Sequence, residues 1–292
     1  MKLLYDSFIK MQDIKIKGAL VRQAPFLECG VGLMTLEVLV STMHQSDLGI
    51  VQRMNIRTDA IIINQCARNE YIEQDDGVKR VRMYSFNERG VGLSRNSALM
   101  RARAEICLIA DDDVVYDDDY AKTVLDAFEK TPQADMIIFN LPTLNKDRKD
   151  DSTIKGQAQV NFTNFMRYGT YRLAFRRESV IKANIYFSLL FGGGAQFGCG
   201  EDTIFIADCL KKGLKIYSNP ARIGTVKQEE STWFKGYNEK YFYDRGVLHK
   251  ALSKRLSCLI NAQFAIRKRS LYKSEMGFLD AMRHMSQGSK DW

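Results

Sequence analysis

The sequence has little proline and histidine and no clustered cysteine, and each shortage excludes a class of protein. Only 4 of its 292 residues are proline and only 3 are histidine. The 6 cysteines are scattered, with no Cys-x-x-Cys pair and no cysteine–histidine cluster. The low proline content argues against long extended linkers, and the cysteine pattern argues against a zinc site and a disulfide scaffold. We therefore expect a protein of the reducing cytosol.

Long hydrophobic runs are also missing. The longest uncharged stretch, residues 183–200, contains five glycines, which a bilayer-spanning helix would not tolerate well. Charged residues are spread through the first 17 positions, so the apolar centre of a signal peptide is absent there. We expect a cytoplasmic location, with at most a peripheral contact at the inner face of the membrane.

Basic residues concentrate towards the C-terminus, whereas the rest of the chain is nearly neutral. The formal net charge is +8, and residues 211–292 hold 17 Lys and Arg against 7 Asp and Glu. Such a basic segment suggests an anionic partner, or simply a solvated helical face. Residues 246–273 combine leucines at helical spacing with basic side chains, which permits either a helix on an anionic membrane or a helix packed on the rest of the protein. Nucleic-acid binding depends on the basic excess alone and is not expected.

Strand-like and helix-like runs alternate from Thr35 onward. This alternation predicts an α/β fold with a mostly parallel central sheet flanked by helices. We divide the chain into an N-terminal extension at 1–34, an α/β domain at 35–236 and a helical basic segment at 237–292. The predicted strands are 36–41, 60–64, 79–86, 105–110 and 134–141, and the predicted helices are 46–54, 93–103 and 117–130.

Two aspartate triplets differ in their sequence context. Asp117-Asp118-Asp119 precedes a predicted helix, where carboxylates favour the helix dipole and cap free amides. Asp111-Asp112-Asp113 directly follows a predicted strand, and ligands of such sheets bind beyond the carboxyl ends of the strands. Three crowded like charges repel one another unless a cation neutralises them. The second triplet is therefore a candidate site for a divalent cation with oxygen ligands.

Two further segments carry candidate functional residues. A glycine-rich run at 192–200 ends in Glu201 and Asp202, which begin a predicted helix. These acids either cap the helix or provide a general base beside a metal site. The segment 87–96 joins glycines and two arginines at the start of another helix, which suits a phosphate or nucleotide contact. Its spacing is neither the dinucleotide nor the P-loop fingerprint.

In this order, the motifs resemble those of the family 2 glycosyltransferases, which have the GT-A nucleotide-sugar-binding fold. The resemblance extends from about Leu36 to Tyr243. The stretches at 231–234 and 241–246 look like those of enzymes that build bacterial surface polysaccharides. The motifs that carry the resemblance are Glu37-Val-Leu-Val-Ser-Thr42, Gly90-Val-Gly-Leu-Ser-Arg-Asn96, Ala110-Asp-Asp-Asp113 and Gly200-Glu-Asp202.

The resemblance implies roles at the matching positions. Asp111 and Asp113 would hold Mg²⁺ or Mn²⁺ on the diphosphate of the donor. Asp202, helped by Glu201, would act as the general base on the acceptor hydroxyl. The residues expected to contact the nucleotide are Ser41, Thr42, Asn64, Arg95 and Asp112. Many relatives have a metal-binding histidine where this sequence has Thr225-Val-Lys-Gln228. A protonated lysine cannot bind a metal, so we expect Lys227 to pair directly with the diphosphate.

The resemblance further implies a metal-dependent and inverting enzyme of surface polysaccharide synthesis. Its donor would be a nucleoside-diphosphate sugar, with a UDP-sugar favoured, and its acceptor a glycan or a lipid-linked glycan. Two alternatives stay open at this point. A non-catalytic nucleotide- or glycan-binding protein on the same fold would keep the same binding residues. A phosphatase of the haloacid dehalogenase type also has Asp-x-Asp after a strand, here Asp111 and Asp113.

Overall fold

The structure of the chain is a computed structural model that describes residues 34–145, 153–227, 234 and 236–292. The predicted N-terminal extension, apart from Met34, lies outside the described residues. So does the motif at 231–234, apart from Phe234. Residues 34–292 form one compact unit.

A nine-stranded sheet crosses this unit in the order β3-β4-β2-β1-β5-β9-β7-β10-β8, and β11 and β6 form a separate pair. The strands are β1 (Leu36–Met43), β2 (Asp59–Gln65), β3 (Glu70–Asp75), β4 (Arg80–Phe86), β5 (Ile106–Asp111), β6 (Val114–Tyr116), β7 (Met136–Asn140), β8 (Ala158–Val160), β9 (Leu173–Arg176), β10 (Ile216–Arg222) and β11 (Gly224–Val226).

The central sheet is flanked by helices as predicted, and its strands pair in a mixed pattern. Strands β4, β2, β1 and β5 are parallel neighbours, as are β7 and β10. Strand β9 is antiparallel to both β5 and β7, and β3 and β8 pair antiparallel at the edges. The predicted parallel block is thus confirmed for the half of the sheet that holds β1 and β5.

The central strands are continuous apolar runs because both faces of the sheet are covered. On β1, Val38 and Val40 belong to one buried cluster, and Leu39 between them belongs to the other. This pattern is typical of parallel strands buried on both sides. The helices are α1 (Gly49–Arg53), α2 (Val91–Arg101), α3 (Tyr120–Lys130), α4 (Arg177–Ala183), α5 (Glu201–Lys211), α6 (Glu239–Leu252), α7 (Ser257–Arg267), α8 (Arg269–Tyr272) and α9 (Phe278–Asp291).

The triplet Asp117-Asp118-Asp119 does not cap a helix with its side chains, so that prediction is wrong. Helix α3 begins at Tyr120, and the side chain of Asp119 makes no capping hydrogen bond. Asp117 instead pairs with Arg222 at 2.9 Å, and Asp118 pairs with Arg57 at 2.5 Å. These acids therefore join α3 to neighbouring segments of the surface.

The C-terminal residues form α6 to α9, and α6 packs tightly against α9 and α5. A Cβ at Gly246 would lie 1.9 Å from the carbonyl oxygen of Met285, so only glycine permits this approach of α6 to α9. Leu248 on α6 is fully buried and contacts Gly200, just before α5. No helix in the described part of the chain is long and apolar enough to cross a membrane.

Candidate active site

The acid triplet Asp111–Asp113 lies where β5 ends, beside the end of β1. Asp111 is the last residue of β5 and is in register with Ser41 of β1. The hydroxyl of Thr42 donates a hydrogen bond to Asp112 Oδ2 at 2.6 Å. Since β1 and β5 are parallel, their carboxyl ends share one edge of the sheet, where ligands of such folds bind. The triplet and the end of β1 therefore form one cluster, as predicted for the sheet edge.

The strand pair β6–β11 brings Lys227 to the same cluster. Strand β6 begins directly after Asp113 and pairs antiparallel with β11, which ends just before Lys227. The backbone N–H of Lys227 donates to the carbonyl oxygen of Asp113 at 3.0 Å. Asp113 and Lys227 are thus neighbours at the site although more than a hundred residues separate them in sequence.

The second acid pair occupies the first two positions of α5. Glu201 and Asp202 follow Gly200, whose φ is +112°, and negative charge is favoured at a helix N-terminus. The hydroxyl of Thr170 donates to Asp202 Oδ1. Gly192 has a φ of +104°, and a Cβ there would lie 2.7 Å from the Glu201 carboxylate. The glycine-rich loop therefore packs directly on Glu201, where no other residue fits.

Arg95 on α2 connects the two acid clusters. Its Nη2 lies 3.0 Å from Asp111 Oδ1, and its Nη1 lies 2.6 Å from Asp202 Oδ1 and 3.3 Å from Glu201 Oε1. The Arg95 side chain is only 4% exposed and its guanidinium lies over the ring of Phe187. Acids about ninety residues apart in sequence therefore belong to a single site.

The charges of this site are unbalanced, with three carboxylates around one guanidinium. Burial acts to lower the pKa of Arg95, but the charges of Asp202, Asp111 and Glu201 outweigh it and raise that pKa. Burial raises the pKa of Asp111, Arg95 opposes this effect, and the charge of Asp202 adds to it. Burial and the charge of Asp202 raise the pKa of Glu201 to about 7. The site would therefore gain electrostatic stability from an additional cation.

Asn64 shapes the loop after β1 and is fully buried. Its Oδ1 accepts a hydrogen bond from the backbone N–H of Gln45 at 2.9 Å. Its Nδ2 donates to the Gln45 carbonyl and to Ser85 Oγ, each at 2.9 Å. His44, the residue before Gln45, has a backbone φ of +58°. Its Nε2 lies 3.0 Å from Arg89 Nη2.

The structure gathers most of the predicted site residues, with two differences in detail. Asn64 lies behind the loop that follows β1, with its amide engaged by backbone and Ser85. Arg95, expected to contact the nucleotide, is buried and contacts three carboxylates instead. The residues that meet at or beside the sheet edge are Ser41, Thr42, Asp111, Asp112, Asp113, Glu201, Asp202 and Lys227.

Thr170 and the contact of Gly192 with Glu201 were not predicted. Thr170 begins the second of two single-turn 3₁₀ segments, in a region without hydrophobic periodicity, so no sequence signal singles it out. The glycine-rich run at 192–200 was recognised, but its packing on Glu201 depends on tertiary structure. Gly192 combines positive φ with crowding, and sequence alone reveals neither.

A divalent cation is implied by the resemblance, and the residues at the sheet edge fit one that also takes ligands from a diphosphate. No three His, Cys, Asp or Glu residues in the described ranges are placed to hold a metal by themselves. Asp111 and Asp113 nevertheless supply hard carboxylate oxygens, and Mg²⁺ commonly binds one or two carboxylates together with phosphates and water. The raised pKa of Asp111 reflects an environment that a bound cation would relieve.

Comparisons with known proteins agree with the fold. The model of "Glycosyl transferase family 2" matches residues 55–185. The crystal structure of residues 1–349 of S. aureus TarS superposes with a TM-score of 0.60 at 13% identity, covering 87% of this chain and 81% of that one. The same TarS fragment in complex with UDP-GlcNAc gives a TM-score of 0.56 at 16% identity, covering 83% and 74%. Its complex with UDP gives 0.58 at 15% identity, covering 87% and 81%.

A longer TarS structure is covered to only 44% of its length. No curated protein matches the sequence. The structural likeness, at such low identity, establishes the shared fold. The family model, which covers residues 55–185, favours a transferase over a phosphatase. The match over residues 55–185 and the GT-A-like sheet make this chain similar to the family 2 glycosyltransferases in that region and in fold.

Proposed function

We propose that the chain transfers a sugar from a nucleoside-diphosphate donor to a glycan or lipid-linked acceptor in the synthesis of a surface polysaccharide. The observation that carries this proposal is the bridge made by Arg95 between Asp111 and the pair Glu201–Asp202. Sugar transfer needs one group of residues for the departing diphosphate and another for the attacking hydroxyl, and this bridge fixes the two groups against each other. The TarS complexes with UDP-GlcNAc and UDP favour a UDP-sugar as the donor.

The donor side comprises the triplet and its neighbours. Asp113, together with Asp111, would hold Mg²⁺ or Mn²⁺, which when bound offsets the charge of the diphosphate. Lys227, whose backbone is bonded to Asp113, would add a positive charge near the phosphates. Thr42 and Asp112, hydrogen-bonded to each other, would face the nucleoside. This set stabilises the charge that develops on the leaving diphosphate.

The acceptor side is formed by the start of α5. Arg95 and Thr170 both bind Oδ1 of Asp202 and so fix the orientation of its carboxylate. Its Oδ2 would then take the proton of the acceptor hydroxyl as that oxygen attacks the sugar. A positioned base of this kind contributes about 10² to 10⁴ in rate. As the resemblance to the family implies, one base on the face opposite the diphosphate would give direct displacement with inversion at the anomeric carbon.

The first prediction separates the two sides by mutation. Asp202→Asn should lower transfer by about 10² to 10⁴, because the base is lost, while donor binding stays within a few-fold of wild type. Asp113→Ala should abolish the dependence of donor binding on Mn²⁺, and Lys227→Ala should weaken nucleoside-diphosphate binding. A panel of nucleotide sugars, screened by thermal stabilisation and by transfer with and without Mn²⁺, measures these effects.

Asp208→Asn is the matched control, because Asp208 lies on α5 but pairs on the surface with Lys211. It should leave both binding and transfer unchanged. If Asp202→Asn abolished Mn²⁺-dependent binding while Asp113→Ala left binding intact and stopped transfer, the two roles would have to be exchanged. Donor binding unchanged in Lys227→Ala would remove Lys227 from the proposal.

A further inference from the structure

Three large apolar side chains on the outer side of α7 are exposed and not covered by any other described element, and the exposed Gln263 lies among them. The opposite face of this helix is buried through Ser257, Asn261 and Ala265. On the outer side, Leu259 is 68% exposed and Ile266 is 66% exposed. Leu256, just before the helix, is 53% exposed and follows the same helical spacing. Large apolar side chains grouped in this way mark an interaction surface more often than isolated ones do.

This face differs from the leucine stripe that the sequence pattern indicated. That stripe comprises Leu248, Leu252, Leu256 and Ile260. Leu248 is fully buried in contact with Gly200, whereas Leu256 is exposed and also belongs to the surface described here. Helix α6 therefore packs on the segment that begins α5, which is one of the two arrangements that the sequence permits. The exposed apolar residues lie on α7 and at Leu256 just before it, and we refer to Leu256, Leu259 and Ile266 as the α7 face.

Basic residues flank the α7 face along the sequence, in a stretch without acids that is bounded by Asp244 and Glu275. The 30 residues from Arg245 to Ser274 contain eight Lys and Arg and no Asp or Glu. Lys254 and Arg255 are exposed just before the helix, and Arg267 and Lys273 are exposed at its end and beyond. An apolar face between basic ends has the composition of helices that lie in the headgroup region of anionic bilayers.

We propose that the α7 face docks on an anionic membrane surface. Leucine and isoleucine side chains would enter the boundary between headgroups and acyl chains, and the flanking lysines and arginines would pair with lipid phosphates. A second copy of this chain is a poorer occupant, because a two-fold interface places the same patch on both partners. It would bring two strongly basic segments together. The inference does not depend on the proposed function, although docking would place the enzyme where lipid-linked acceptors reside.

Flotation of the full-length protein with vesicles tests this inference. Wild type should float with phosphatidylcholine vesicles containing 30% phosphatidylglycerol, and far less with pure phosphatidylcholine. Leu259→Ser/Ile266→Ser should reduce binding at least tenfold, because two inserted side chains are lost. Arg255→Ser/Arg267→Ser should also reduce it more than tenfold, since each basic residue near an anionic surface contributes about fivefold.

Matched controls distinguish binding through the α7 face from binding through any exposed apolar side chain or through net charge. Leu279→Ser removes an apolar side chain that is 80% exposed on α9. Lys130→Ser/Lys212→Ser removes the same two charges from exposed positions elsewhere. All variants change exposed residues, and unchanged thermal unfolding together with unchanged donor binding would verify that they are folded. Light scattering measures the oligomeric state of each.

Retained vesicle binding in both α7 variants would overturn the proposal. So would equal loss of binding in the Lys130/Lys212 control, because net charge alone would then explain it. If Leu259→Ser/Ile266→Ser converted an oligomer to a monomer and wild type did not float, the α7 face would be a contact between copies, and the membrane would be the wrong partner.

Discussion

At the scale of residues, Arg95 is the group on which the site depends. Its guanidinium satisfies carboxylates from two clusters, and its Nε has no hydrogen-bond partner among the described residues. The sequence allowed both acid clusters to be predicted, since each follows a recognisable strand or glycine-rich loop. It did not allow the bridge to be predicted, because a contact between α2, β5 and α5 is decided by how these elements pack.

Replacing Arg95 should destabilise the protein in a pH-dependent way. In Arg95→Met, Asp111, Glu201 and Asp202 lose their cation, and breaking a buried pair in this way costs about 3–5 kcal/mol. Arg95 lowers the pKa of Asp111 and Glu201, so without it their folded-state pKa values rise further above those of the unfolded chain. The penalty is therefore small at pH 5, where these groups can stay protonated, and grows as the pH rises to 8. Thermal unfolding at both pH values measures it.

Arg82→Met is the matched control for this variant. Arg82 forms a similarly buried pair with Glu37 at 2.7 Å, near the amino end of β1 and away from the acid clusters. Its loss should destabilise the protein but spare donor binding once the protein is folded. An equal loss of stability at pH 5 and pH 8 in Arg95→Met would contradict the electrostatic role assigned to Arg95.

At the scale of elements, some of the described strands can be predicted from the sequence and others cannot. β1, β2 and β5 were predicted because each is a buried apolar run. β3 was missed, since Glu70–Asp75 is a polar edge strand whose side chains are mostly exposed and show no alternation. β9 was missed as well, because Leu173–Arg176 is four residues long and its antiparallel place between β5 and β7 depends on topology. The parallel block that carries the site was thus predictable, and the edges of the sheet were not.

The glycine-rich loop at 192–200 gives a prediction at this scale. Gly192→Ala should lower transfer strongly and destabilise the protein, because a Cβ would lie 2.7 Å from both the Glu201 carboxylate and Val91 Cγ1. Gly213→Ala is the control, since Gly213 also has a positive φ, +81°, but has nothing within 4 Å of its Cβ position. Both variants carry a backbone cost of about 1 kcal/mol. Both kcat and melting temperature are measured for the two variants, since only Gly192→Ala adds steric contact with Glu201 to the backbone strain that both share. Equal kcat in the two variants would show that the loop does not position Glu201.

At the scale of the whole molecule, residues 34–292 are one compact unit in which the C-terminal helices pack against the catalytic fold. Gly246 on α6 approaches the backbone of α9, and Leu248 on the same helix contacts Gly200 before α5. Gly200, the N-cap residue of α5, is therefore in contact with the C-terminal segment. We expect these helices to unfold together with the sheet in one transition.

Gly246→Ala tests this cooperativity. The added methyl group would lie 1.9 Å from the Met285 carbonyl oxygen, so α6 and α9 must separate. The expected result is a lower melting temperature with a single transition by calorimetry, accompanied by reduced transfer, because Gly200 loses its support. Gly277→Ala, where the nearest atom is an aspartate side-chain oxygen at 3.0 Å, is the milder control. Two separate transitions would mean that the C-terminal helices form an independent domain.

The measurement that tests the central claim most directly is a crystal structure of the protein soaked with Mn²⁺ and UDP. We expect the cation to contact the carboxylates at positions 111–113, with the pyrophosphate beside it and within reach of Lys227. Asp202 should stay bound to Arg95 and face the space where the sugar would sit. A pyrophosphate bound elsewhere, with Asp111–Asp113 contacting neither cation nor phosphate, would contradict the account.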